Sequence, residues 1–177
     1  MSDERLNLGS RLLIGGIAGL VGTLAMTAAM SRLHRMLPAK ERYPLTPREI
    51  VDALAHQDEA EPALSETAAL DTTTAAHFAY GAATGALLGA ANPKVGPAEG
   101  ALAGVAVWAA SYLGWIPGVG ILKPATDHPR RRNALMIGAH LVWGATTAIA
   151  MRELVLARRT MMAPGPDKDV PERRWSD

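Results

Sequence analysis

Four long runs without a charged side chain constrain this chain more than any other feature. They cover 12–30, 72–92, 100–122 and 133–151, at 19, 21, 23 and 19 residues. Charged residues make up 20% of the sequence, so chance rarely clears even one window of that length. A helix rises about 1.5 Å per residue, and about 20 apolar residues therefore cross a hydrocarbon core about 30 Å thick. The pattern predicts an all-α integral membrane four-helix bundle, with 1–160 as the membrane domain and the lipid bilayer as its first partner.

Basic and acidic residues nearly balance, 18 against 17, and almost all lie outside the four runs. No basic block alternates with aromatics, which argues against nucleic-acid binding. Cysteine is absent, which excludes disulfides, thiolate catalysis and cysteine-ligated zinc. The leader before the first run sets Asp3 and Glu4 against Arg5 and Arg11 and so lacks the basic start of a signal peptide. A retained first helix is expected.

The first run is the most apolar, and Arg11 and Arg32 bracket it in positions suited to reach headgroups. The second is weaker, with Phe78, Leu87 and Leu88 as its large apolar side chains, and leaves a short or re-entrant segment as the alternative to a full span. The third carries Tyr112 and Trp115 near its end, where aromatics suit the membrane interface, and Pro117-Gly118 should stop it. The fourth follows Arg130-Arg131-Arg132 and continues as an amphipathic tail to about Arg159.

In the first long loop, Thr46-Pro47-Arg48-Glu49 reads as a capping box, with Thr46 as N-cap and Glu49 at N3. Ile50, Val51 and Leu54 follow as a short apolar face, predicting a surface helix near 47–57. The end of the chain, 161–177, is charged and Pro-rich and is expected to be disordered. Lys and Arg tie at nine on each side of a four-span topology, so charge does not set the orientation.

Glycines recur at four-residue spacing: Gly15 and Gly19; Gly81, Gly85 and Gly89; Gly100 and Gly104. With Gly144 they form helix faces on which backbones can approach closely, within one chain or across a homo-oligomer seam. There is also an internal echo. His77-Phe78-Ala79-Tyr80-Gly81-Ala82 parallels His140-Leu141-Val142-Trp143-Gly144-Ala145, and Gly15 and Gly19 parallel Gly100 and Gly104. Two tandem two-helix units would account for it.

His77 and His140 are the ionisable side chains inside the runs, apart from phenolic tyrosines. Polar groups at such depth are costly there. Two roles are open: hydrogen bonding to a neighbouring helix, or a polar site for proton-linked function. The echo places both near one membrane face, pointing into the bundle, with each ring hydrogen-bonded. Two histidines without a nearby carboxylate make a poor metal set, although Met26, Met30 and Met136 could serve Cu(I). No metal and no cofactor is expected. Phosphate-loop, HExxH and GxSxG patterns are missing, so no catalytic residue is assigned. The Asp127-His128 loop beside Lys123 and the arginine run could face anionic headgroups, or simply be solvated.

These features together resemble the YagU-type inner-membrane proteins, a bacterial family of unknown function. The matching residues are the glycine-rich first run ending at Met36-Leu37-Pro38, His77-Phe78, the Gly100–Trp108 segment, and Gly138-Ala139-His140-Leu141-Val142-Trp143 before Arg152-Glu153. The resemblance implies a multi-pass protein of the bacterial inner membrane and supplies no activity. A non-enzymatic accessory or stress-related role is expected. The alternative is a transporter or channel subunit with a polar site at His77 and His140.

Overall fold

The computed structural model describes residues 6–42, 46–55 and 65–163, and every regular element among them is helical. Five helices order the described residues: α1 (Leu8–Met36), α2 (Thr46–Ala55), α3 (Glu66–Ala91), α4 (Pro97–Gly118) and α5 (Arg130–Arg159). The expected disordered tail lies outside the described residues beyond Ala163, and so do positions 56 and 57 of the expected surface helix.

Local chemistry sets the helix ends. The Asn7 side chain accepts from the Ser10 amide at 2.8 Å to start α1, and Ser65 does the same for the Ala68 amide at α3. At α4 Pro97 takes the first helical turn, and the Gly96 amide donates to the Glu99 carboxylate at 2.6 Å. Arg11 does not simply reach for headgroups. Its Nη2 donates to the Ala91 carbonyl at 2.8 Å, placing a cation on the carbonyl end of α3.

Three helices, α1, α4 and α5, are long and apolar enough to cross a membrane. Helix α3 is long enough at 26 residues but less apolar, because threonine and alanine replace leucine along it. Leu13, Ile17, Leu20 and Leu24 are exposed on α1, as are Leu102 and Leu113 on α4 and Leu141, Ile149 and Leu156 on α5. Apolar surface of this extent suits a hydrocarbon environment.

Inside the molecule, small residues let backbones touch. A Cβ built on Gly85 would lie 2.6 Å from the Gly19 Cα, and one on Gly15 would lie 2.9 Å from the Gly89 Cα, so α1 and α3 meet main chain to main chain. A Cβ on Gly100 would come within 2.5 Å of both the Gly144 carbonyl and the Ala148 Cβ, which closes α4 on α5 in the same manner. All eight glycines named from the sequence lie in these two seams. The seams are not in the same register, however. Gly19 sits on the Gly81 carbonyl, whereas Gly104 sits on the carbonyl of His140, one helical turn from the position the echo would give it.

Helices α1 and α5 form the central pair, with α3 on α1 and α4 on α5. One glycine outside the four-residue spacing, Gly22, makes the central pair close: a Cβ there would lie 2.8 Å from the Trp143 carbonyl. Ile14, Ala18, Val95, Ala148, Met151 and Val155 fill the end of the bundle nearest the α3–α4 turn. Met26, Met30, Leu135, Met136, Ala139 and Trp143 fill the opposite end of the α1–α5 seam.

Candidate binding cavity

The square of helices is closed on three edges, α3–α1, α1–α5 and α5–α4, while α3 and α4 are not packed along each other. In the gap lies a cavity of about 210 Å³, lined by α3 and α4 on its sides, α1 and α5 at its floor, and α2 at its end. The gap is bridged by the Tyr80 hydroxyl, which lies 2.8 Å from Ser111 Oγ, and by the Tyr80 and Trp115 rings, 6.1 Å apart. Ser111 itself donates to the Val107 carbonyl at 2.8 Å, so Tyr80 is the donor between the two hydroxyls.

Helix α4 presents these groups by changing its winding. Residues Ala110–Trp115 form a π-helical segment, and the buried positions step from Ser111 to Ile116, five residues instead of three or four. The wider turn carries Ser111, Tyr112 and Trp115 to the cavity lining. Tyr112 faces into the bundle. Its ring meets His140 edge-on, with centroids 6.0 Å apart at 88°, and its hydroxyl bonds to Thr46.

Both sequence-named histidines line the cavity. His140 is buried, and its Nδ1 lies 2.7 Å from the Met136 carbonyl. A carbonyl only accepts, so Nδ1 carries the proton and the neutral ring keeps Nε2 as an acceptor. His77 is half-buried and takes no hydrogen bond among the described residues; its ring meets Phe78 edge-on at 6.0 Å. It also borders a second cavity, of about 240 Å³, that reaches Arg48 and Ser31. Among the described residues no three metal-ligating side chains gather.

The capping residues of α2 have a long-range task that local sequence does not reveal. Thr46 is itself the first helical residue, and it is buried. Its hydroxyl accepts from Arg132 Nη2 at 3.2 Å, while Glu49 pairs with both Nη atoms of Arg132. Arg132 thus latches α2 to the start of α5, with Val51 buried and Pro47 and Ile50 at the cavity. The expected surface helix is a lid. The arginine run is divided accordingly, because Arg131 turns to Glu41 at 3.4 Å. A second ionic contact, Arg48 to Glu66 at 2.9 Å, ties α2 to α3.

Two buried polar atoms have no partner among the described residues: Trp143 Nε1 and Thr147 Oγ1. Trp143 is 3% exposed and lines the cavity; Thr147 lies against Gly22 in the α1–α5 seam. No sequence pattern marks an unpartnered indole. No protein-family model, no curated protein and no solved structure matches the chain.

Proposed function

We propose that this chain is a non-enzymatic, multi-pass accessory protein of the bacterial inner membrane, built as a four-helix bundle with α3 as the fourth span. The observation that carries the reading is that the cavity is blind. It lies in the α3–α4 gap with α2 across one end, and the glycine seams with Ala18, Ala148 and Met151, all at 0% exposure, occupy the path toward the other end of the bundle. A molecule can lodge in such a site but has no route through it. That favours binding over conduction.

Reading α3 as a span is supported by how its hydroxyls are satisfied. Thr73, Thr74 and Thr84 donate to the Ala69, Leu70 and Tyr80 carbonyls at 2.7 to 2.9 Å, so their polarity is absorbed within the helix. The tandem-unit reading keeps two supports, the paired histidines at one cavity and the two glycine seams, with the one-turn register offset as a divergence between units. The likeness to YagU-type proteins is consistent with this architecture.

The chain has no cysteine, so single cysteines can be placed at Met36, Lys94 and Thr126 and labelled with an impermeant maleimide in sealed vesicles of either orientation. Four spans put Met36 and Thr126 on one side and Lys94 on the other. Met36 and Lys94 on the same side would remove α3 from the membrane. Proteoliposomes carrying the protein should leak neither protons nor potassium above the lipid background. A leak abolished by substituting both His77 and His140 would replace the accessory reading with the transporter one.

A further inference from the structure

Resting on the reading of α3 as a membrane span, we propose that the α3–α4 cavity binds a neutral aromatic ring carrying a hydroxyl, whose O–H donates to His140 Nε2. Size and walls set the body of the ligand. A cavity of about 150 Å³ holds benzene, so about 210 Å³ accommodates a substituted ring or two fused rings. Tyr80, Tyr112, Trp115 and Trp143 all contribute to the lining, which suits a flat π-system better than an alkyl chain. Among the described residues no Asp, Glu, Lys or Arg lines the cavity. An ion would be stripped of water with no counter-charge, so the ligand is neutral.

The polar atoms left over set its functional group. The lining hydroxyls are already committed within the protein: Thr23 donates to the Gly19 carbonyl at 2.8 Å, Thr73 and Thr84 to their own helix, Ser111 to Val107 and Tyr80 to Ser111, and Tyr112 is bonded to Thr46. The Trp143 N–H is closed off as well, since Nε1 is sealed in the packing and the adjacent Cδ1 faces Gly22 in the α1–α5 seam. His140 is different. The residue is 6% exposed, its Nδ1 proton goes to the Met136 carbonyl, and Nε2 is left as an acceptor with no partner among the described residues. Nor is Nε2 sealed in the packing, because among the described residues the buried unpartnered atoms are Trp143 Nε1 and Thr147 Oγ1. It therefore opens on the cavity that the ring lines. His77, in either neutral tautomer, adds one donor and one acceptor and tilts the balance neither way. The surplus is an acceptor. A hydroxyl answers it and can still accept from an N–H, whereas a carbonyl or an ether brings a further acceptor and leaves Nε2 unmet.

The entrance follows from the open edge. Helices α3 and α4 are not packed along each other, and the Tyr80 bridges to Ser111 and Trp115 are side-chain contacts that can part without disturbing either glycine seam. With four spans this edge faces hydrocarbon, so the ring arrives sideways from the lipid and an attached apolar tail stays there. Helix α2 lies across the end that faces water, held by Arg132.

The test uses the full chain in nanodiscs with four probes: 2-naphthol, its methyl ether 2-methoxynaphthalene, the hydrocarbon naphthalene, and the anionic naphthalene-2-sulfonate. Affinities are measured by calorimetry, each corrected for partition into empty nanodiscs. The His140 imidazole is followed by ¹⁵N NMR, which five histidines in the chain keep simple. Its resonances are assigned with His140→Phe or, should that variant fail to fold, by replacing the other histidines in turn. 2-Naphthol should bind at least about fivefold more tightly than the ether or the hydrocarbon, the worth of about one neutral hydrogen bond. It should shift the His140 Nε2 resonance, which naphthalene should leave in place, and His140→Phe should erase its advantage. The sulfonate should not bind. An ether or hydrocarbon that matches 2-naphthol, an unmoved Nε2 resonance, an advantage that survives His140→Phe, tight binding of the sulfonate, or no binding by any probe would each overturn the proposal. Cysteine labelling reports separately on whether α3 spans, so failure of the ligand and failure of the topology are distinguishable.

Discussion

The two ends of the bundle solve opposite problems with the same helices. Toward the α3–α4 turn, α1 meets α3 through Gly15, Gly19, Gly85 and Gly89 with main chains in contact. Toward α2, the same α3 carries Thr73, His77 and Tyr80 at the cavity, and α4 turns away through its π-helical segment. The difference is one of side-chain size at successive turns. Lipid offers helices no hydrophobic reason to associate, so close backbone packing holds the bundle where residues are smallest. Where side chains are large, the helices separate, and polar bridges span the space.

Glycine substitutions should break the solid end most severely. Gly85→Leu puts a side chain where a Cβ alone would lie 2.6 Å from the Gly19 Cα, a backbone atom that cannot step aside. The expected loss exceeds about 3 kcal/mol, seen as absence of a cooperative thermal transition in detergent. Gly138→Ala is the control, since its Cβ would meet only the Leu33 Cδ1 at an ordinary 3.7 Å. That variant should be neutral or gain up to about 1 kcal/mol from helix propensity. Equal effects of the two substitutions would mean that the seams do not carry the stability.

The latch is the next largest lever. Arg132→Ala removes the ion-pair partner of Glu49 and one of the partners of Thr46, with the Glu49 side chain only 23% exposed. A loss of about 1.5–3 kcal/mol is expected, the range for charge-assisted hydrogen bonds. Hydrogen exchange across 46–55 should accelerate while exchange in the glycine seams is unchanged. Acceleration in both regions would make the lid part of the core.

Adding bulk should separate the two ends more finely. Val107→Leu extends a side chain into the cavity and is expected to stabilise by up to about 0.8 kcal/mol, the value of one buried methylene. Ala18→Val adds bulk at a position with 0% exposure and should cost about 1–3 kcal/mol. Thermal midpoints of the two variants, measured side by side, check the sign.

How far the sequence reveals this molecule depends on the range of the interaction. Uncharged runs mark long helices because bilayer thickness acts on each helix alone, and three of the four runs fall on helices apolar enough to cross, the third run outlasting its helix, which ends at Gly118. Four-residue glycine spacing is likewise a property of one helix face. Gly22 escapes that pattern because it turns to α5 instead of α3, one partner later around α1. Thr46 and Glu49 read as a local cap because the residue types that cap a helix are also those that bind an arginine, and Arg132 lies far away in sequence. The π-helical segment has no sequence signature, since its hydrogen-bond register is settled by what Ser111, Tyr112 and Ile116 pack against. The histidines were visible as polar residues in apolar runs. The cavity they share was not, because empty space is written in no residue.

The smallest expected effect tests whether the lid is held by charge on its α3 side as well as by Arg132. The Arg48 guanidinium bonds Glu66 at 2.9 and 3.0 Å and also Asp52 at 2.7 Å, and this hydrogen bonding with its charge holds the Glu66 carboxyl below the usual range. A depressed folded pKa means the contact stabilises fully above the unfolded value, about 4.3 for glutamate, and is lost as pH falls through the folded value. Both groups are open to solvent, so the energy is small and salt-screened. Hydrogen exchange across 46–55 should therefore quicken as pH drops below about 4, after correction for intrinsic rates. In Glu66→Gln the exchange should be slightly faster at neutral pH and should lack this acid step, with the thermal midpoint hardly changed. An acid step that survives in Glu66→Gln but vanishes in Glu49→Gln would assign the whole lid to Arg132 and leave the α3 side held by apolar packing alone.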